Sequence, residues 1–318
     1  DRNLGLAKAY SQVDMIDTSY KVIMRGDYME LWEHKNFSYA TDSAYAIYYD
    51  SGDSLYIHSD TLFFHFDKEK EELEKLIARR NVRFFKSDMQ GKCDTMTYFM
   101  NDSTIRMRVN PILWTDDSQM TGDKIDIKTN GETIEFVLQN GNAFIASQDT
   151  IEGFNQIRGA DITSHFKDGS IHHVNVDGTS AESIYWIRDD DGSTIGIDVA
   201  KSETMVIIMK DQSISTIKSF KGIEETMYPE DDLNESSRYL QGFKWYDVIR
   251  PISKDDIFRQ PKVTEPTNEN SFETPPEAKP EAISEVPETL ETPETPSPEP
   301  QQPQQHRPKK TNNSTNQQ

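Results

Sequence analysis

The stretch Met24-Arg25-Gly26-Asp27-Tyr28-Met29-Glu30-Leu31 returns later in the chain as Met120-Thr121-Gly122-Asp123-Lys124-Ile125-Asp126-Ile127. Looser copies place the glycine position of this motif at residues 57, 91, 159 and 196. A motif that recurs at a nearly constant step of this size is typical of a stacked repeat, in which each unit buries its apolar face against the next. The repeat therefore decides the fold class.

Each clear copy of the motif is followed by two apolar residues with one residue between them. The pairs are Met29 and Leu31, Leu62 and Phe64, Met96 and Tyr98, and Ile125 and Ile127. This alternation predicts β-strands with one buried face. Asn-Gly and Asp-Gly pairs between the segments, such as Asn130-Gly131 and Asp168-Gly169, predict hairpin turns. The sequence thus predicts an all-β, solenoid-like stack of V-shaped hairpin units.

Composition divides the chain into a folded body and a tail. Residues 260–318 contain most of the prolines, many glutamates and one aromatic residue, Phe272. Such a segment buries too little apolar surface to offset its ordering entropy, so a disordered Pro/Glu-rich tail is predicted. We expect a stacked β domain at residues 1–228, a linker and capping segment at 229–259, and the tail at 260–318. The helix-prone stretch 67–76 is predicted to be a hairpin tip because of its position.

Charge and apolar content exclude several functions. The chain has 55 acidic against 34 basic residues, which argues against nucleic acid as a partner. No apolar run reaches the roughly 18 residues that a transmembrane helix needs. The chain begins at Asp1, so we expect a signal peptide or a further N-terminal region to have been removed.

No arrangement of residues in the sequence predicts catalysis, a metal site or a cofactor. Cys93 lies in an alternating segment and is predicted to be a buried, inert thiol. His172 and His173 are neighbours on a predicted strand and therefore point to opposite faces. Carboxylates that are distant in sequence still have the potential to meet in space, as in β-solenoid enzymes that cleave polysaccharides. We expect no enzyme, no metal and no cofactor.

Two accounts of the apolar face remain open at this point. In one, the alternating residues form a fully packed core, as in a closed β-solenoid scaffold or adhesin. In the other, the two sheets of bent units do not fully close and leave an apolar trough along the stack. The residues themselves do not separate the two accounts.

The repeats resemble the OstA-like family, the LptA-type lipopolysaccharide-transport proteins, and in particular its Bacteroidetes branch. Besides the repeated Gly-Asp strands, the resemblance rests on four segments and covers about residues 6–258: Asn81 to Asp94, Asn110 to Trp114, Phe154 to Gly159, and Gly242 to Trp245. It implies a periplasmic protein with an open β-jellyroll. The trough of such a fold shields the acyl chains of lipopolysaccharide during transport from the inner to the outer membrane.

The resemblance and the alternation together name the expected site and partners. The predicted groove residues are Met29, Leu31, Leu62, Phe64, Met96, Tyr98, Ile125 and Ile127. The later copies place the polar residues Ser164 and Lys201 where the pattern predicts apolar ones, so the alternation assigns no groove residues beyond about residue 160. Expected partners are lipopolysaccharide and other bridge proteins that pair with the edge strands, and head-to-tail association of the chain with itself is also expected. The alternatives are the closed scaffold and the carbohydrate-active enzyme.

Overall fold

The structure is a computed structural model that describes residues 1–259 except 2, 20, 50–52, 68, 70–72, 150–152 and 211–212. One compact unit spans Asp1–Glu269, and a second unit, residues 270–318, lies outside the described residues. The predicted tail, residues 260–318, therefore falls outside the description as well. No helix in the described part of the chain is long and apolar enough to cross a membrane.

The described residues form strands and short 3-10 turns. The strands are β1 Leu6–Asp17, β2 Val22–Trp32, β3 Phe37–Thr41, β4 Tyr45–Tyr49, β5 Ser54–His58, β6 Thr61–Phe66, β7 Leu73–Lys86, β8 Met89–Phe99, β9 Thr104–Arg108, β10 Ile112–Thr115, β11 Ser118–Thr121, β12 Lys124–Thr129, β13 Ile134–Gln148, β14 Phe154–Lys167, β15 Ser170–Asp177, β16 Ala181–Arg188, β17 Thr194–Ser202, β18 Thr204–Lys210, β19 Ser213–Phe220 and β20 Glu224–Tyr228. The 3-10 turns are Glu33–Lys35, Glu230–Asp232, Glu235–Arg238, Asp247–Ile249 and Asp256–Phe258.

Six long strands bend in the middle and belong to two arms of sheet at once: β1, β2, β7, β8, β13 and β14. In the first arm the strands pair in the order β1-β2-β4-β5-β7-β8-β10-β11-β13-β14-β16-β17-β20. In the second arm the order is β1-β2-β3-β6-β7-β8-β9-β12-β13-β14-β15-β18-β19. The prediction of an all-β stack of V-shaped units, an open β-jellyroll, is confirmed.

The vertex of the V is built from a repeated local structure. Pairs of consecutive residues with left-handed φ bend alternate strands, for example Arg80 and Asn81 at 64° and 53°. On the neighbouring strand an acidic residue faces this bend, and the backbone N–H of Asp60 donates to the carbonyl of Arg80 at 3.0 Å. The Asn81 side-chain amide donates to the Asp60 carboxylate at 3.0 Å. The same backbone bond joins Asp27 to Asp42, Asp94 to Val109, Asp123 to Gly141 and Glu203 to Lys221.

The acidic residue, rather than the glycine, therefore marks the repeat in the structure. The glycine of the first copy does lie at the vertex: a Cβ on Gly26 would lie 2.9 Å from the carbonyl oxygen of Thr41. The copies assigned at residues 57 and 91 are shifted, because the vertex of those units lies at Asp60 and Asp94. Gly196 lies within β17, whereas the last vertex is at Glu203. The bend and the acidic residue that faces it therefore define the repeat, whereas the glycines occur where a neighbouring backbone or side chain leaves no room for a Cβ, as at Gly26 and Gly91.

Large apolar side chains fill the space between the two arms. One continuous core cluster runs from Val22 to Ile207 and includes Phe64, Phe84 and Met96, each with no exposed surface. The alternating residues therefore face inward from both arms, as the period-2 pattern predicts. The segment 67–76, predicted to be a hairpin tip, contains the beginning of β7 at Leu73, and several of its residues lie outside the described part.

The segment after β20 lies along the outer face of the first arm; we call residues 233–258 the strap. The sequence predicts a capping segment here, and its contacts reach well beyond the last strands. Leu233 packs with Ile184 and Ile197 near the last strands, whereas Phe258 lies against Tyr45 and His58 of β4 and β5. The strap therefore runs back over most of the stack.

Buried glutamines hold the strap by paired hydrogen bonds to its backbone. Gln156 donates to the Arg238 carbonyl at 2.8 Å and accepts from the Leu240 N–H at 2.8 Å. Gln119 donates to the Lys244 carbonyl at 2.7 Å and accepts from the Tyr246 N–H at 2.6 Å. Each side-chain amide thus pairs with the strap as a neighbouring β-strand would. This explains how an irregular segment satisfies its backbone groups against a sheet face.

Candidate functional site

The space between the two arms, here called the slot, is where the predicted groove residues lie. All eight are in the second arm and form two adjacent rows that run across its strands. Met29, Leu62, Met96 and Ile125 belong to one row, and Leu31, Phe64, Tyr98 and Ile127 to the next. The structure thus brings together residues that are up to about a hundred positions apart.

In this half of the stack the slot is packed. Leu62, Phe64, Met96 and Ile127 have no exposed surface, and Tyr98 is 5% exposed. Leu31, near the N-terminal end of the stack, is half-buried. Side chains from the first arm, including Phe84 and Met24, fill the facing positions. A ligand therefore reaches these rows only when the two arms move apart.

Contacts between the arms also close the open side of the V at this level. The rings of Tyr48 and Tyr98, from opposite arms, meet edge to face with centroids 5.9 Å apart. The Lys86 ammonium group donates to the Asp88 carboxylate at 2.8 Å and to the Glu132 carbonyl at 3.0 Å. Lys86 precedes the β7–β8 turn of the first arm and Glu132 lies in the β12–β13 turn of the second, so this bond bridges the arms. A cavity of about 240 Å³ remains beneath the bridge.

Further along the stack the slot opens. A cavity of about 660 Å³ lies between the arms from the β10–β11 turn to β19. Its apolar wall comes from both arms: Ile145, Ile157, Tyr185 and Ile187 from the first, and Ile171, Val174, Met209 and Ile214 from the second. The Tyr185 hydroxyl donates to the Ile214 carbonyl at 3.3 Å and connects the arms across the cavity. We call this region the open slot.

The mouth of the open slot is acidic. Asp116, Asp117 and Asp149 lie at its rim, and Arg188 is the cation among its lining residues. Arg188 is not free, because its guanidinium group pairs with Asp149 and its Nη1 donates to the Thr194 hydroxyl at 2.5 Å. The rim therefore carries net negative charge above an apolar floor. A ligand with an anionic group would need a cation to place that group here.

A second open cavity of about 460 Å³ continues the slot toward its C-terminal end. It shares Tyr185, Ile187 and Ile214 with the open slot and adds Asp198 and Glu225. Burial, together with the nearby Glu225 carboxylate, raises the pKa of Asp198 to about 6. This end of the slot therefore changes charge near neutral pH.

The structure gives no geometry for catalysis at the residues that the sequence singled out. Cys93 is free and buried, and burial raises the pKa of its thiol to about 12, so it is not a nucleophile at neutral pH. Among the residues that the structure describes, no group of three or more His, Cys, Asp or Glu side chains is placed to hold a metal ion.

Sequence reasoning did not identify the residues of the open slot, because it assigned no groove residues beyond about residue 160. Ser164 does lie in the second row, between Val137 and Val174, but it is fully buried and does not line the cavity. Lys201 is exposed on β17 of the first arm and does not belong to either row. The available signal was the replacement of Met and Phe by shorter side chains in the later repeats.

Comparison with known families matches residues 52–133 to the family described as LptA/(LptD N-terminal domain) LPS transport protein. Among solved structures, a match is LptH, the LptA-homologous periplasmic component of the lipopolysaccharide transport device from Pseudomonas aeruginosa. It aligns at 12% sequence identity and a TM-score of 0.35, over 44% of this chain and 95% of LptH. No curated protein matches the sequence. The family match covers about a quarter of the chain, within the repeats, and it agrees with the resemblance of those repeats to the OstA-like family of lipopolysaccharide-transport proteins.

Proposed function

We propose that the chain is a periplasmic bridge component that shields the acyl chains of lipopolysaccharide in its slot during transfer between the two membranes. The observation that carries this proposal is the open slot, an apolar cavity of about 660 Å³ between two arms of sheet. A cavity of this size is within the range of small-molecule and lipid sites, roughly 300–1,000 Å³. The family match supports the same function.

The free energy gained by placing an acyl chain in the slot depends on where the chain comes from. Each methylene moved from water into the slot contributes about 0.8 kcal/mol, but the same transfer from a bilayer interior contributes almost nothing. The slot therefore holds a lipid against water and does not extract it from a membrane. The chain is a passive conduit, and a separate energy source must load it.

The acidic rim sets the orientation of the lipid. Asp116, Asp117 and Asp149 repel a phosphate-bearing head group, so the acyl chains enter and the head remains in solvent. Divalent cations would bridge the phosphates to these carboxylates. Lipid affinity is therefore expected to fall when divalent cations are chelated.

The eight predicted residues extend the same surface into the packed half of the stack. The row of Leu31, Phe64, Tyr98 and Ile127 continues into the open slot through Val174. We propose that acyl chains reach these rows when the arms separate and the Tyr48–Tyr98 and Lys86–Glu132 contacts break. On this account the lipid moves along one continuous apolar track.

Partners would join at the two ends of the stack. Strand pairing among the described residues ends at β1 on one side and at β19 and β20 on the other. Unpaired backbone groups at such edges accept a strand from a neighbouring protein. Another bridge protein or a second copy of this chain fits these ends.

Site-specific photo-crosslinking tests the proposal with matched neighbours on one strand. A crosslinker at Met209, which lines the open slot, is expected to capture lipopolysaccharide, and one at the adjacent outward residue Ile208 is not. A crosslinker at Met96 reports whether the packed half opens. Equal capture at Met209 and Ile208, or none at either, would support the closed scaffold instead.

A further inference from the structure

A continuous group of aromatic side chains lies on the outer face of the second arm, away from the slot. We call Tyr10, Tyr28, Tyr39, Phe37 and Phe63 the aromatic patch. Neighbouring rings stand 5.2 Å apart for Tyr10–Tyr28, 6.1 Å for Tyr28–Tyr39, 6.2 Å for Tyr39–Phe63 and 6.0 Å for Phe37–Phe63. They come from the adjacent strands β1, β2, β3 and β6, so the rings form one surface several strands wide.

The patch is accessible to solvent although it is largely aromatic. Tyr10 is 68% exposed, and the other four residues are half-buried. Contiguous apolar surface of this kind on a folded protein usually marks an interaction site. Tyrosine is suited to such a role because it combines an apolar ring with a hydroxyl group.

A polar network fixes the patch from within. The buried carboxylate of Glu30 accepts hydrogen bonds from Lys8 at 2.7 Å, from the Trp32 indole at 3.0 Å and from the Tyr28 hydroxyl. These bonds hold the pKa of Glu30 down at about 2, so the carboxylate stays charged and the network stays formed at neutral pH. The Tyr28 ring is therefore held in place before any ligand arrives, which lowers the entropy cost of binding.

Cations surround the patch although the protein as a whole is acidic. Arg79 lies over the Phe63 ring at 5.3 Å and Lys35 over the Trp32 ring at 3.8 Å. Lys75 stands beside His65 in the neighbouring row, and Lys8 caps Glu30. Glu30, the acid within the patch, is already neutralised by Lys8. The surface thus offers stacking rings, phenol groups and cations together.

We propose that the aromatic patch binds an anionic polysaccharide, independently of the lipid slot. The C–H faces of sugar rings stack on aromatic side chains, sugar hydroxyls pair with phenol groups, and carboxylate or phosphate substituents pair with the surrounding cations. A purely apolar partner would leave Arg79 and Lys35 without a counter-charge. A neutral glycan would gain nothing from them.

The distance from the open slot indicates a separate ligand. Eight strand-to-strand steps separate β3, in the patch, from β15, in the open slot. At about 4.8 Å per step this is about 38 Å along the stack. The two sites also face opposite sides of the second arm. The glycan is therefore a chain of its own rather than the head of a lipid seated in the open slot.

Calorimetric titration of the whole chain with a hyaluronan hexasaccharide, against neutral maltohexaose, tests the proposal. The anionic hexasaccharide is expected to bind, and its affinity is expected to fall as salt is added. Phe63→Ala, at the centre of the patch, should lower this affinity about tenfold. The matched control is Phe136→Ala, an outer ring of the same arm that contacts His165 instead. It should leave binding unchanged.

Two further variants guard against a loss that merely reflects unfolding. Tyr10→Ala removes a largely exposed ring and should weaken binding about threefold without changing the melting temperature. Arg79→Gln should weaken binding about threefold and flatten its salt dependence, whereas Lys218→Gln, an exposed cation on β19, should not.

Several outcomes would overturn the proposal. These are no binding of the hexasaccharide, equal binding of maltohexaose, or equal losses in Phe63→Ala and Phe136→Ala. Binding of anionic phospholipid vesicles through these residues, with no binding of the hexasaccharide, would assign the patch to a membrane surface. A slot-filling variant, Met209→Trp, should leave glycan binding intact even if it abolishes lipid capture. Each of the two sites can therefore fail without the other.

Discussion

The two halves of the slot share one architecture and differ in how it is filled. Between Val22 and Val137 the facing arms interlock through Met24, Phe64, Phe84 and Met96, and no exposed surface is left on these side chains. Between Ile145 and Ile214 the inward apolar residues are mostly isoleucine and valine, and they enclose an open cavity of about 660 Å³. Both halves have the same V-shaped backbone, so the backbone does not decide whether a trough exists. The size of the inward-facing side chains decides it.

The physical reason is the length and flexibility of the side chains. Methionine and phenylalanine extend far enough from one arm to contact the other, and methionine adapts to irregular gaps. Val174 and Ile157, at the wall of the open slot, have shorter side chains. An open slot is thus obtained without changing strand register, by shortening side chains in consecutive units.

The largest expected effect is on the stability of the packed half. Phe64→Ala removes a fully buried ring and should lower the free energy of unfolding by about 3–5 kcal/mol. Ile171→Ala, at the wall of the open slot, should cost less because its side chain already faces a cavity. Urea unfolding of both variants measures the difference. Equal losses would show that the two halves are packed alike.

The strap gives the next largest effect, because it braces the outer side of the wall that lines the open slot. Gln156→Ala leaves two strap backbone groups without their partners and should cost about 1–3 kcal/mol. Hydrogen exchange at the Leu240 amide should rise in the same variant. Gln148→Ala, an exposed glutamine of the neighbouring strand, serves as the control and should change neither quantity.

Filling the open slot tests its function without disturbing the core. Met209→Trp should weaken lipopolysaccharide binding about tenfold, equivalent to about 1.4 kcal/mol, because the larger ring occupies the cavity. Ile208→Trp, on the outward face of the same strand, should leave lipid binding intact. Measurement with a fluorescent lipopolysaccharide distinguishes the two. Unchanged binding in Met209→Trp would remove the open slot as the lipid site.

The smallest expected effect is a pH dependence at the C-terminal end of the slot. Burial raises the pKa of Asp198 to about 6, so the folded state holds this proton more tightly than the unfolded chain, with its pKa of about 3.9. Stability should therefore fall as the pH rises from about 4 to about 6, by on the order of 1 kcal/mol after solvent screening. Asp198→Asn should flatten that part of the profile.

The control for this titration is Asp190→Asn, an exposed residue in the β16–β17 turn. Its profile of unfolding free energy against pH should match that of the unchanged protein. If the profile of Asp198→Asn also matches that of the unchanged protein, ionisation of Asp198 does not lower the free energy of unfolding.

The sequence predicted the inward rows because strand periodicity is a local property. Leu62 and Phe64, or Ile125 and Ile127, are two residues apart, so each pair has to share a face whatever the rest of the chain does. The repeat was less well placed, since its glycine was used as the marker. At Asp60 and Asp94 the vertex depends on the acidic residue and on the left-handed pair opposite it.

Local sequence patterns could not predict whether the slot is open or which path the strap follows. Whether Met24 and Phe64 meet depends on the separation of the two arms, which no local sequence pattern determines. The strap is held by Gln119 and Gln156, and a glutamine in a strand gives no sign of the distant segment that it binds. The aromatic patch likewise forms only after four strands align, although each ring fits an ordinary outward position.

A crystal structure of the chain with bound lipopolysaccharide would show whether the open slot holds the lipid. Acyl-chain density is expected between Ile157, Val174 and Met209, with the phosphates in solvent near Asp116 and Asp149. Acyl chains bound outside the two arms, or an open slot closed by rearranged side chains with no lipid between the arms, would contradict this expectation.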